Sequence, residues 1–228
     1  MLDVGCGPGT ISADLSRRVA PGHVDAIDTS AEVIERARVL HPESDFPHLT
    51  FRTGDVYNIA APDASYDIVF AHQVLQHLGD PLAALVEMRR VTSPDGLVAV
   101  RDADFGAFRW FPEDPRLDEW REVYFAVTSR NGAHAGAGPR LKMWARDAGL
   151  SDVSVSGSVW TFSTPDERAW WGGLWAERTE NSDFARQAVD YGIATSSTLS
   201  SFAAAFRDWA THEDAVFSVP HVEIIARP

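Results

Sequence analysis

Along its first hundred residues the chain switches between two hydrophobic periods. Short apolar runs read as strands at Met1–Val4, His23–Asp28, Leu49–Thr53, Tyr66–Phe70 and Leu97–Val100. Between them, apolar residues recur at helical spacing: Ile11, Leu15 and Val19; then Val33, Ile34, Ala37 and Leu40; then Leu82, Leu85, Val86 and Val91. Thr29-Ser30-Ala31-Glu32 reads as a capping box opening the second helix, and Asp80-Pro81 as an N-cap with proline in the first turn. Strands alternating with helices predict an α/β fold around a parallel sheet. The run Tyr66–Phe70 is nearly all apolar, as a central strand covered on both faces should be.

The second half is patterned differently. A helix is predicted over Asp114–Thr128 with Leu117, Trp120, Tyr124 and Val127 on one face, a mobile loop over Asn131–Gly138, and a helix over Leu141–Ala148 stopped by Gly149. Val153, Val155 and Val159–Phe162 mark a strand, and the last strand follows only at Ala215–Ala226. The intervening stretch, about 163–212, is helical in pattern: Thr164-Pro165-Asp166-Glu167 opens one helix, and Leu199, Phe202, Phe206 and Trp209 form a stripe on another. Trp170, Trp171 and Trp175 lie in this stretch and should bury their rings.

The candidate chemistry centres on Gly5-Cys6-Gly7-Pro8-Gly9-Thr10, where the first strand breaks into the first helix. Glycine lets the backbone adopt left-handed turns and approach a ligand closely, and the helix behind it presents unpaired N–H groups. The dinucleotide fingerprint G-x-G-x-x-G is not met, because Thr10 stands where its third glycine would be, and the phosphate-binding lysine of a P-loop is missing. Asp28, closing the second strand, can accept hydrogen bonds from ribose hydroxyls. A ribose-bearing cofactor without a pyrophosphate follows.

At these residues the sequence resembles the class I S-adenosylmethionine (SAM) dependent methyltransferases, and most of all the branch containing the ubiquinone and menaquinone biosynthesis enzymes. The resemblance covers about 1–105. It rests on Leu2-Asp3-Val4-Gly5-Cys6-Gly7-Pro8-Gly9-Thr10, on Asp28, on Gly54-Asp55-Val56, on Ser65-Tyr66-Asp67-Ile68-Val69-Phe70 and on Pro94-Asp95-Gly96-Leu97. It implies a Rossmann-like sheet of seven mostly parallel strands with an antiparallel last strand, helices on both faces and, here, a helical insertion before that last strand. It also implies one domain, 1–228, with a SAM-binding half (1–105) and a substrate-side half (106–228). SAM is the expected cofactor and S-adenosylhomocysteine the product. The implied cofactor residues are Asp3, Gly5, Cys6, Gly7, Thr10, Asp28, Thr29, Gly54, Asp55, Val56, Ala71, His72 and Gln73. The family usually has a helical segment ahead of its first strand, whereas this sequence enters the strand at once.

Composition narrows the partners. With 20 Lys+Arg against 33 Asp+Glu the net charge is −13, which disfavours a nucleic-acid surface. Cys6, the single cysteine, excludes an internal disulfide and reads as loop filler rather than nucleophile. No membrane span or signal peptide is apparent, so a cytoplasmic protein is expected, with a homodimer allowed and no metal site.

The expected reaction is SAM-dependent methyl transfer to a small, apolar or aromatic molecule. His77 and Asp104 are the candidate catalytic pair, with Asp102 an alternative acid, since a base helps where the acceptor carries a proton. Arg109, Trp110, His134, Trp171 and Trp175 are the candidate substrate residues, the tryptophans as an aromatic lid. Two other readings compete: a SAM-binding regulatory or protein-interaction module without methyl transfer, and an NAD-linked dehydrogenase, which Thr10 disfavours.

Overall fold

The computed structural model describes residues 1–228, and the backbone divides into two compact units. The first comprises Met1–Asp102, Gly138–Ser156 and Val222–Pro228; the second comprises Ala103–Ala137 and Gly157–His221. The chain thus leaves the first unit after Asp102 and returns to it twice.

In the first unit, strands β1 (Leu2–Val4), β2 (Val24–Asp28), β3 (Leu49–Thr53), β4 (Tyr66–His72) and β5 (Thr92–Ala103) alternate with helices α1 (Thr10–Val19), α2 (Ala31–Leu40) and α3 (Pro81–Val91). The strands stand in the order β3-β2-β1-β4-β5, all parallel. Because β1 is flanked by β2 on one side and β4 on the other, the winding direction reverses there, and a crevice opens beyond the strands' carboxyl ends. Leu2 and Val4 are fully buried, as a central strand requires.

Three helix readings are corrected. The buried face of α1 is Ser12, Ala13 and Ser16, while Ile11 is exposed. Small residues face inward, and the Ser12 hydroxyl donates to buried Asp3 at 2.6 Å. In α2 the cap is Ser30, whose hydroxyl accepts from the Val33 N–H, so the box read from Thr29 is not formed; Leu40 is exposed. On α3, Asp80 caps as expected, but the inward residues are Ala84, Leu85, Met88 and Val91, and Leu82 and Val86 are exposed.

The second unit packs α4 (Pro115–Arg130), α6 (Pro165–Asn181), α7 (Asp183–Asp190) and α8 (Ser196–Thr211) around an aromatic core; α5 (Leu141–Asp147) belongs to the first unit. The Thr164/Glu167 capping box forms as predicted, with Glu167 taking the N–H of Thr164 at 3.0 Å. Gly172 lets α6 lie close against α8: a Cβ there would stand 2.7 Å from the Ala210 Cβ and from the Phe206 carbonyl. Trp171 and Trp175 are buried in this core with Trp120, Phe202, Phe206, Trp209 and Phe217, but Trp170 is 58% exposed. The expectation that all three insertion tryptophans bury their rings therefore holds for two.

An eighth strand, β6 (Arg109–Phe111), exceeds the expected seven. It pairs antiparallel with the start of β8 (Val216–Arg227), Trp110 opposite Phe217 with their rings stacked at 5.5 Å. β7 (Ser151–Phe162) also pairs with β8, and both strands run through the two units.

Candidate functional site

The site grows from the glycine loop. Gly5, Gly7 and Gly9 all have positive φ, 67°, 54° and 82°, a region that a side chain disfavours. Gly5 is also confined: a Cβ would come within 2.5 Å of the Val74 Cγ2. Over Gly7 there is nothing within 4 Å, which leaves a cradle of bare backbone.

Two cavities open around this loop, both lined by Gly5 and Gln73. One, of about 200 Å³, is lined by Val4, Asp28, Thr29, Gly54, Val56 and His77 among others. The other, of about 260 Å³, is lined by Asp3, Cys6, Gly7, Pro8, Thr10 and His72. The lining residues come from the carboxyl ends of four adjacent strands, where an open parallel sheet binds ligands.

The polar groups are held in defined ways. Asp28 accepts the N–H of Gly7 at 3.1 Å on one oxygen and that of Ser30 at 3.0 Å on the other. Burial pushes the Asp3 carboxyl up to about 7, partly offset by the Ser12 hydroxyl. Burial, with Asp3 and Asp28 nearby, pushes the Cys6 thiol up to about 12, so Cys6 is no thiolate nucleophile. Burial and the Arg101 guanidinium bring the His72 ring down to about 4, so it is neutral at ordinary pH. The Gln73 N–H donates to the Arg101 carbonyl at 2.7 Å, which fixes a residue with φ of 55° between the two cavities.

His77 ends a 3-10 turn, Leu75–His77, and lines the first cavity. Its Nε2 stands 3.2 Å from the Gln76 side-chain nitrogen. The turn is anchored by Asp102, whose Oδ1 accepts the Gln76 N–H at 3.1 Å and whose Oδ2 is buried without a partner. Burial pushes this carboxyl up to about 7.

Of the residues proposed from the sequence, Asp3, Gly5, Cys6, Gly7, Thr10, Asp28, Thr29, Gly54, Val56, His72, Gln73 and His77 all line one or both cavities. Ala71 is buried in β4 just behind Gln73. Asp55 is exposed and bonds the N–H of Tyr57 at 2.9 Å, while its neighbours Gly54 and Val56 face the cavity. Asp104 belongs to the second unit, where it accepts the Gly106 N–H at 3.0 Å; the acid bonded to the His77 turn is Asp102. In the second unit, Arg109 is exposed and donates to the Phe108 carbonyl, Trp110 carries the Arg121 guanidinium 5.0 Å from its ring, and His134 is half-buried. Val74 and Leu78 line the first cavity as well, unmarked in the sequence because an apolar pair after a strand looks like core.

A methyltransferase domain profile matches residues 2–100. An uncharacterized methyltransferase of Schizosaccharomyces pombe is 35% identical over 191 residues, 80% of this chain and 68% of that protein. A probable methyltransferase of Aspergillus luteorubrus is 30% identical over 243 residues, covering 99% of this chain and 84% of its own. The chain belongs to the class I SAM-dependent methyltransferases. The fold agrees: the YcgJ protein of Bacillus subtilis superposes with a TM-score of 0.64 over 99% of this chain and 90% of its own, at 19% identity.

This methyltransferase's residues fit SAM. The two cavities fall in the volume range of small-molecule clefts, roughly 300–1,000 Å³ when joined. Asp28 supplies carboxylate oxygens at the position suited to a ribose, and the bare Gly7 backbone offers room that a side chain would fill. SAM is therefore the methyltransferase's cofactor. Among the described residues no cluster of His, Cys, Asp or Glu is placed to hold a metal, and no helix is long and apolar enough to cross a membrane.

Proposed function

We propose that this methyltransferase acts on a small acceptor with an apolar or aromatic body. The observation that supports this reading is the second unit's wealth of aromatic side chains, with half-buried Trp110, Tyr124, Phe162 and Phe184 packed against a core of further aromatics. Partly exposed rings suit an apolar molecule and offer little to a nucleic acid, which the net charge of −13 also disfavours.

SAM brings an already activated methyl group, so the protein's work is positioning, exclusion of water and management of the acceptor's proton. The glycine loop and Asp28 fix the cofactor's sugar end. Gln73, held by the Arg101 carbonyl, fixes the boundary between the two cavities. His77 is the group we assign to the acceptor's proton: it faces the cofactor cavity, and its turn is held from behind by Asp102. His72 is neutral and half-buried and lines the second cavity.

The test is to incubate the chain with SAM and a panel of small aromatic acids, phenols and amines, and to measure S-adenosylhomocysteine release and methylated product by mass. Turnover with small acceptors, and loss of at least about tenfold in kcat for His77→Ala with SAM binding intact, is expected. Methylation only of nucleic acid or protein, or of nothing in the panel, would overturn the proposal.

A further inference from the structure

We propose that Gln76 is a positioning residue for this reaction: the way its side-chain amide stands selects which ring nitrogen of His77 carries the proton, and the buried Asp102 sets how the amide stands. This deepens the assignment of the acceptor's proton to His77 and rests on it.

Gln76 is buried, only 5% exposed, in the middle of the turn Leu75–His77. A glutamine there takes two donors and an acceptor out of water. Its backbone N–H is satisfied by the Asp102 Oδ1 at 3.1 Å, and its Nε2 stands 3.2 Å from the His77 Nε2. Its Oε1 is buried without a partner, and so is the Oδ2 of Asp102. Two oxygens that both accept are thus left unpaired on two residues already joined by a hydrogen bond. Orphaned acceptors in a core are costly, and two of them on one turn call for a donor that the heavy atoms alone do not display.

One proton and an amide that turns over satisfy both. With Asp102 protonated, its Oδ2–H donates to the Gln76 Oε1, and the Gln76 NH2 donates to the His77 Nε2, which leaves the ring proton on Nδ1. With Asp102 ionised, the amide is reversed: its NH2 donates to Oδ2, and its oxygen accepts from the His77 Nε2–H. Nδ1 is then the basic nitrogen. The second form holds one proton fewer, the one lost from Asp102. In it Nδ1 takes the acceptor's proton, and the acceptor keeps the electron pair of the broken bond to hydrogen. The resulting imidazolium keeps its Nε2–H on the amide oxygen, with the carboxylate charge beyond it. Burial holds the Asp102 proton up to about pH 7 while Arg101, its neighbour in β5, pulls the other way, so both forms are reached at ordinary pH. Arg101 is itself bonded to Glu223 at 3.1 Å and stands 3.4 Å from the His72 ring, and the acid that shares the cavity of His77 is Asp28.

The full chain, with its histidine ring nitrogens isotope-labelled and saturated with S-adenosylhomocysteine, is followed by nitrogen–proton correlation NMR at about pH 8.5. The His77 signals are assigned by their loss in His77→Gln. The native ring is expected as the Nε2–H tautomer. Asp102→Asn, whose oxygen keeps the Gln76 N–H and whose NH2 donates to Oε1, should lock the amide the other way and give Nδ1–H. Adding Gln76→Glu to that variant puts an acceptor back beside the His77 Nε2 and should return the ring to Nε2–H. With an acceptor present, kcat should fall at least about tenfold in the single variant and recover in the double, a recovery that a merely structural role would not produce. The same tautomer in the native and Asp102→Asn chains, or a double variant that keeps the tautomer of the single one, would overturn the role of Gln76. S-adenosylhomocysteine affinity on the same samples reports folding. Should Asp102→Asn not fold, Gln76→Leu leaves Asp102 in place and should give both tautomers; a ring still held in one would overturn the role equally. A tautomer switch without methyl transfer to any small acceptor would sink the proposed reaction alone. Loss of kcat in His77→Ala without a switch would sink only the role of Gln76.

Discussion

The carboxylate of Asp28 takes the N–H of Gly7 on Oδ2 at 3.1 Å, bridging 21 residues of chain from the end of β2 to the glycine loop. The residue suited to a ribose is thus also the brace of the loop beneath it. Asp28→Ala removes both roles and leaves the Gly7 N–H without its partner. SAM affinity measured by calorimetry should fall about a hundredfold, and Asp28→Asn, whose amide oxygen can still accept from one N–H, should lose less. Equal loss in the two variants would show that only the charge matters.

Gly5 and Gly7 should respond differently to the same methyl group. Gly5→Ala meets Val74 at 2.5 Å in a left-handed conformation, so stability and SAM affinity should both fall. Gly7→Ala carries only the backbone strain, roughly 1–2 kcal/mol, because nothing lies within 4 Å. Its methyl enters the cradle, so affinity should drop well beyond what the stability change explains. Thermal unfolding with and without SAM separates the two; a Gly7→Ala chain that binds SAM normally would remove Gly7 from the cofactor surface.

Asp102 makes stability depend on pH in an unusual direction. Its carboxyl keeps its proton up to about pH 7 when folded, against an ordinary value of 3.8. Between those values the folded state holds the extra proton, so this residue's contribution falls as pH rises. Asp102→Asn cannot titrate and still accepts the Gln76 N–H. In urea unfolding the Asn variant should gain on the native chain by roughly 2–4 kcal/mol between pH 5 and pH 8. Asp3 acts in the same sense, and His72, whose pKa is lowered to about 4, opposes both, so the comparison is with the variant at each pH. Parallel profiles would place the Asp102 proton elsewhere.

Gly172 sets how closely α6 approaches α8. Gly172→Ala would bring a methyl within 2.7 Å of the Phe206 carbonyl and the Ala210 methyl, and backbone cannot yield as a side chain can. A loss of about 1–3 kcal/mol is expected by chemical denaturation. Gly173→Ala, one residue on with nothing within 4 Å, is the control and should be neutral or slightly stabilising.

The strands and the glycine loop were legible because their signals are local. Backbone that must turn left-handed demands glycine, and buried parallel strands demand unbroken apolar runs. Helix faces were less legible. Ile11 and Val86 fit the helical stripe by spacing yet are exposed, because close packing on the sheet favours Ser12 and Ala13, or Ala84, over bulk. The site was legible along the cofactor side, where strand ends line up in order, but not in its acids. In Arg101-Asp102-Ala103-Asp104 either carboxylate could have turned inward; only the fold gives Asp102 the Gln76 N–H and Asp104 its own turn. The exposure of Asp55 and of Trp170 is likewise a tertiary outcome.

β8 supplies residues 216–221 to one unit and residues from 222 onward to the other. During synthesis, at roughly 5–20 residues per second, both units therefore wait for the same last strand. Until it is made, β5 and β6 each lack the neighbour that fills the gap between them, and each presents an unpaired strand edge.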